Sequence, residues 1–79
     1  MPRGLRNWSF TDVARFLRTH GFIQTHSRGS HFYYVHSGSG PRQVCIPFHG
    51  GGAIHPRVLK SIIRQSGIPE IEWREFAGG

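Results

Sequence analysis

Acidic residues are scarce in this chain. Its 79 residues include four Asp and Glu against ten Lys and Arg, a formal net charge of +6. None of the four acids lies between Val13 and Pro69, where Arg15, Arg18, Arg28, Arg42, Arg57, Lys60 and Arg64 all fall, and Glu70, Glu72 and Glu75 cluster after that stretch. No pair of carboxylates is spaced for glycoside chemistry, and the sole aspartate, Asp12, reads as a helix-cap residue rather than a member of a Ser-His-Asp triad. Cysteine is nearly absent too: Cys45 stands alone, which rules out an internal disulfide and fits a reducing compartment. The six histidines come without CxxC or HExxH spacing, so no metal centre and no cofactor is expected. Long apolar runs are missing as well. "MPRGLRNWSF" is basic but lacks the apolar stretch of a secretory signal, and no segment approaches the ~20 apolar residues of a membrane span. The expectation is a soluble, cytoplasmic protein.

A long basic middle is what the chain has instead. It suggests a polyanionic partner, with nucleic acid the first candidate and a merely solvated basic face the alternative. Hydrophobic residues at 37% and ten aromatics suffice for a globular domain. At this length residues 1–79 are expected to form one domain, burying roughly 60% of the surface the unfolded chain would expose.

Residues 1–8 read as an arm. Ser9 then looks like an N-cap, with Asp12 three residues on in the manner of a capping box. Phe10, Val13, Phe16 and Leu17 follow at helical spacing opposite Arg15 and Arg18, and Gly21 ends a helix spanning about 9–20. Three β-like runs come next, at 22–27, 31–36 and 43–48, separated by "RGS" and by a turn around Ser39. Such short links make an antiparallel meander, and Pro47 marks the third strand as an edge or its end. Pro56 opens a second helix that Gly67 stops, with Val58, Leu59, Ile62 and Ile63 on one face and Arg57, Lys60 and Arg64 on the other. Pro69 opens a short last helix carrying Ile71, Trp73 and Phe76. The order is α-β-β-β-α with a short C-terminal helix: an α+β fold in which helices cover one face of a three-stranded antiparallel sheet. This is the arrangement of the double-stranded-RNA-binding domain.

On the central strand, His31, Tyr33 and Val35 share one side and Phe32, Tyr34 and His36 the other; composition alone leaves open which side is buried. If Phe32 and Tyr34 go inward, His31 and Tyr33 stand on the open face, where a tyrosine stacks on a base or merely fills a strand. His31 follows Gly29-Ser30, three residues after Arg28. RNA carries its own nucleophile in the 2′-hydroxyl, so an imidazole base beside a cation is enough for strand cleavage without metal, and a structural strand-end histidine is the alternative. His49, before a glycine run, is a second candidate; its loop either cradles a phosphate or is a flexible turn. His20 reads as a capping or core residue. The cations of the second helix suit contacts to phosphates.

These stretches resemble one family. "HGF" (20–22) ends the first helix, "RGSHFYY" (28–34) matches a Gly-Ser-His-x-x-Tyr motif, and "IPFHGGGAIHPRVLKSIIRQSGI" (46–68) matches a Pro-x-His, loop and helix pattern. Together they resemble the HicA toxins, small mRNA interferases of type II toxin–antitoxin systems. The resemblance implies a double-stranded-RNA-binding-domain-like fold and a single catalytic histidine at His31. It also implies a presenting turn at Gly29 and Ser30, a structural tyrosine at Tyr34, and silencing by a HicB antitoxin that covers the active site. Such a partner would be acidic against this basic surface.

The expected function is therefore a ribonuclease toxin that cleaves mRNA without metal, His31 acting as general base. Arg28, Ser30, Tyr33, His49, Arg57, Lys60 and Arg64 are the expected substrate-binding residues. Two rival classes use the same basic helix: a non-catalytic RNA-binding module, and a protein-interaction domain that meets only an acidic partner.

Overall fold

The computed structural model describes residues 4–36, 38 and 42–78. Its first helix, α1 (Phe10–Thr19), begins at a complete capping box. The Ser9 hydroxyl accepts from the Asp12 N–H at 3.2 Å while the Asp12 carboxylate accepts from the Ser9 N–H at 2.9 Å. Val13, Ala14, Phe16 and Leu17 face the core, and Arg15 and Arg18 face solvent. The helix closes at His20, whose Nδ1 donates to the Phe16 carbonyl at 3.0 Å and whose Nε2 lies 3.2 Å from the Glu72 carboxylate. Gly21 follows with a φ of 87°.

Three antiparallel strands follow in spatial order β1-β2-β3: β1 (Ile23–Arg28), β2 (His31–His36) and β3 (Arg42–Pro47). Each lies within a residue of its expected span, and β3 is an edge strand that stops at Pro47. The link from β2 to β3, including Ser39, falls mostly outside the described residues. The inner face of the sheet carries Tyr34, Val44 and Ile46, all buried, with Phe32 partly so.

Helix α2 (Pro56–Ser66) lies along β3. His55 caps it, its Nδ1 accepting from the Arg57 N–H at 3.1 Å, and Gly67 ends it in the left-handed conformation. Leu59, Ile62 and Ile63 are buried, while Arg57, Lys60 and Arg64 are exposed. Two polar contacts fix the helix to the strand. The Cys45 N–H donates to the Gln65 side-chain oxygen at 3.0 Å, and the Arg42 guanidinium donates to the Ser66 carbonyl at 2.8 Å, satisfying a helix-end acceptor. Helix α3 (Glu70–Gly78) buries Trp73 against the core and leaves Ile71 exposed.

Residues 1–3 of the expected arm lie outside the described residues, and residues 4–8 depart from that reading. Trp8 is fully buried, its indole N–H donating to the Gly4 carbonyl at 2.8 Å. The ring packs against Phe16, Trp73 and Phe76 at centroid distances of 5.9, 5.3 and 5.9 Å. Its carbonyl accepts from the Ile54 N–H, and Ser9 forms an isolated bridge with Ala53. A large aromatic area removed from water outweighs the polar composition of its neighbours, and Trp8 and Ser9 are pinned against α1, α3 and the approach to α2.

Candidate active site

The turn between β1 and β2 consists of Gly29 and Ser30 alone, because Arg28 and His31 are register partners across the hairpin. Gly29 has a φ of 59° and Ser30 is not in the positive-φ region, the pattern of a type II′ turn, whose twist suits two-residue hairpins. A Cβ at Gly29 would meet no neighbour within 4 Å, so the demand for glycine comes from the backbone angle and not from space. The Ser30 carbonyl accepts from the Phe48 N–H at 2.7 Å, which ties the turn to the exit of β3. Phe10 and Phe48 pack edge-to-face at 5.3 Å, and Phe10 meets Phe32 at 5.0 Å, so an aromatic group underlies this end of the sheet.

Because Phe32 and Tyr34 turn inward, His31, Tyr33 and Val35 stand on the outer face, away from the helices. Burial pushes the Tyr34 phenol above its ordinary range, with the Arg18 charge offsetting part of the effect. Three rungs cross the outer face. Arg28, His31 and Pro47 form the first; His26, Tyr33 and Cys45 the second; Ile23, Val35 and Gln43 the third. The alignment depends on a register shift between Gln24 and His26 that leaves Thr25 as an extra residue. One added residue inverts the side-chain phase of everything after it, so Ile23 and His26 share a face that strict alternation would deny them. The His26 ring stacks on Tyr33 at 4.5 Å and 9°.

Of the expected substrate residues, the structure therefore brings Arg28, Ser30 and Tyr33 to the surroundings of His31. His49 lies beyond the sheet, on a cleft of about 210 Å³ lined by Phe10, Pro47, His49, Ile54, His55 and Val58 among others. Pro47, paired with His31, also lines that cleft, so the two places adjoin. Arg57, Lys60 and Arg64 belong to the solvent side of the helix layer rather than to the outer face of the sheet. His26 was not among the expected residues. No pattern of apolar and polar residues along β1 marks the phase shift that delivers it.

Three of the four acids are held elsewhere, and the fourth, Glu75, lies exposed on α3. Asp12 is engaged in its capping box, Glu72 meets His20, and Glu70 accepts from Arg74 at 3.0 Å one turn along α3. None of them shares a rung with His31. Among the described residues no three His, Cys, Asp or Glu side chains gather to hold a metal ion, and no helix is long and apolar enough to cross a membrane.

A helix-covered three-stranded antiparallel sheet, with an exposed histidine set beside an arginine at a Gly-Ser hairpin, defines a basic α+β domain of the double-stranded-RNA-binding-domain type. The family model for the HicA toxin of bacterial toxin–antitoxin systems matches residues 10–68, and the chain belongs to that family. It is a toxin of a toxin–antitoxin system. A search of curated proteins gives no match.

Proposed function

We propose that the protein is a metal-independent endoribonuclease acting on mRNA in the cytoplasm, held silent by a HicB-like antitoxin that covers the outer face of the sheet. The observation that carries this reading is the first rung: an exposed imidazole directly opposite a guanidinium, on a face with no carboxylate in its ladder. His31 takes the proton of a 2′-hydroxyl, and the resulting oxyanion attacks the adjacent phosphorus. Arg28 holds the non-bridging oxygens and stabilises the charge that builds on them, and Ser30 adds a hydroxyl donor at the turn. Tyr33 offers a ring to a neighbouring base, while His49 and its cleft receive the chain beyond the first rung. Arg57, Lys60 and Arg64 hold phosphates farther from the scissile bond and raise affinity without selecting sequence. The products are a 2′,3′-cyclic phosphate and a 5′-hydroxyl.

The test is cleavage of RNA by the purified protein in EDTA, wild type beside His31→Ala, with the product ends identified. Wild-type cleavage leaving cyclic phosphates, lost in the variant, is the expected result. Binding of RNA by both without cleavage by either would replace this reading with the non-catalytic binding module.

A further inference from the structure

Cleavage by the route above needs a proton for the departing 5′-oxygen as well as a base for the 2′-hydroxyl. We propose that His26 is the general acid that supplies it, an inference that rests on the ribonuclease reading. His26 shares the outer face with His31 and lies diagonally from it, one rung along the sheet. Diagonal neighbours in an antiparallel pair stand about 7–8 Å apart, so two imidazoles reaching inward can flank one phosphodiester. Arg28 is next to both. It is opposite His31 on the first rung and two residues from His26 on the same face of β1. A base, a cation and an acid thus occupy the corners of one triangle, which suits an in-line displacement with entering and leaving oxygens on opposite sides of phosphorus.

The hydrogen bonds around His26 fix which nitrogen is free. The Thr25 hydroxyl lies 3.4 Å from the Tyr33 carbonyl, to which it donates, and 3.0 Å from His26 Nδ1. In the imidazolium, the form that acts as an acid, both ring nitrogens are donors, so Nδ1–H donates to the Thr25 oxygen while the hydroxyl proton goes to the Tyr33 carbonyl. Nε2–H of that imidazolium is the transferable proton, and its departure leaves the neutral ring with Nδ1–H still on Thr25; His31 starts as the neutral base. The parallel stack on Tyr33 holds the ring plane. Thr25, the residue that creates the bulge, therefore has two effects: it inverts the phase that brings His26 to this face, and it orients the ring. Thr25 is a positioning residue.

The step balances. His31 gains the 2′-hydroxyl proton as the new O2′–P bond forms, the P–O5′ bond breaks, and His26 Nε2 gives its proton to O5′. The two imidazoles finish with exchanged protonation, which exchange with water resets. No oxidant, reductant or metal enters.

The experiment compares two RNA substrates, one ordinary and one with sulfur bridging phosphorus to C5′ at the scissile position. A thiolate leaves without protonation, so it removes the need for an acid and no other need. On ordinary RNA, His26→Ala is expected to cleave at least ~10²-fold more slowly than wild type, and His26→Asn, which keeps a polar group near the place of Nδ1 but has none at Nε2, to share the loss. On the sulfur-bridged substrate both should come within about threefold of wild type, whereas His31→Ala should stay inactive on both. Thr25→Val should show a smaller loss, also erased by sulfur. Equal losses on both substrates, or wild-type rates on ordinary RNA, would overturn the assignment of His26 while leaving His31 in place. Failure of the wild type to cleave ordinary RNA would remove the ribonuclease reading itself.

Discussion

The two faces of the sheet are made from the same three strands and could hardly differ more. Beneath the helices, Tyr34, Val44 and Ile46 are sealed among Phe16, Leu17, Leu59 and Ile62. On the outside, the rungs hold imidazoles, a guanidinium, a phenol and a thiol, with His26, Arg28 and His31 exposed; β1 itself is exposed on both of its sides. The inner face is where stability resides, and the outer face is where a partner can be met. A thin core of this kind has little stability to spare, and the residues of the proposed site are ones whose loss leaves the packing untouched.

That contrast can be broken from either side. The largest effect expected is on the outer face: His31→Ala should lower the rate of RNA cleavage by ~10²–10⁴-fold with the thermal midpoint unchanged within error, read by product analysis beside calorimetry. On the inner side Phe16→Ala should cost about 3–5 kcal/mol, since its ring meets Trp8, Trp73 and Phe76 together, and denaturant titration should find the domain largely unfolded. Arg28→Ala should retain the fold and lose about 10²-fold in cleavage, with Arg28→Lys recovering only part, because a point charge replaces a fork.

A smaller effect separates the faces by pH. Burial raises the Tyr34 phenol in the folded state above its unfolded value of 10.0. The group holds its proton more tightly when folded, so its contribution is fully present below pH 10.0 and is lost as pH rises through the folded value. Denaturant midpoints between neutral pH and pH 11 should fall in the wild type and fall less in Tyr34→Phe. An equal fall in both would remove Tyr34 as the source. The smallest expected effect is Ser9→Ala, about 1 kcal/mol of stability from the lost cap with cleavage unaltered.

Much of the inner face was legible in the sequence, because burial leaves a pattern. Val13, Phe16 and Leu17 recur at helical spacing, Ser9 and Asp12 announce the cap, and Gly67 marks the end of α2. Alternation along β2 separates Phe32 and Tyr34 from His31 and Tyr33. The outer face is legible only where a motif crosses it, at Gly29, Ser30 and His31. In β1 all six residues are exposed, so no apolar rhythm records the phase, and the extra residue at Thr25 leaves no trace in composition. That is why His26 emerges only from the register. Trp8 escaped for a different reason. Its partners Trp73 and Phe76 lie at the far end of the chain, and the polar residues before it describe the local segment correctly but not its burial.

The hairpin that carries the first rung also has a history in time. Arg28 and His31 are separated by two residues, so the loop that joins them is among the quickest a chain can close, on the order of microseconds. Pro47, the third member of the same rung, arrives only after the chain has passed through β2 and returned along β3. An isolated hairpin of this length is at best marginally stable in water. The opposed imidazole and guanidinium are held in place only once β3 is paired and the Phe48 N–H meets the Ser30 carbonyl. The proposed site thus depends on the last strand of the sheet as much as on the hairpin whose two side chains lie at its centre.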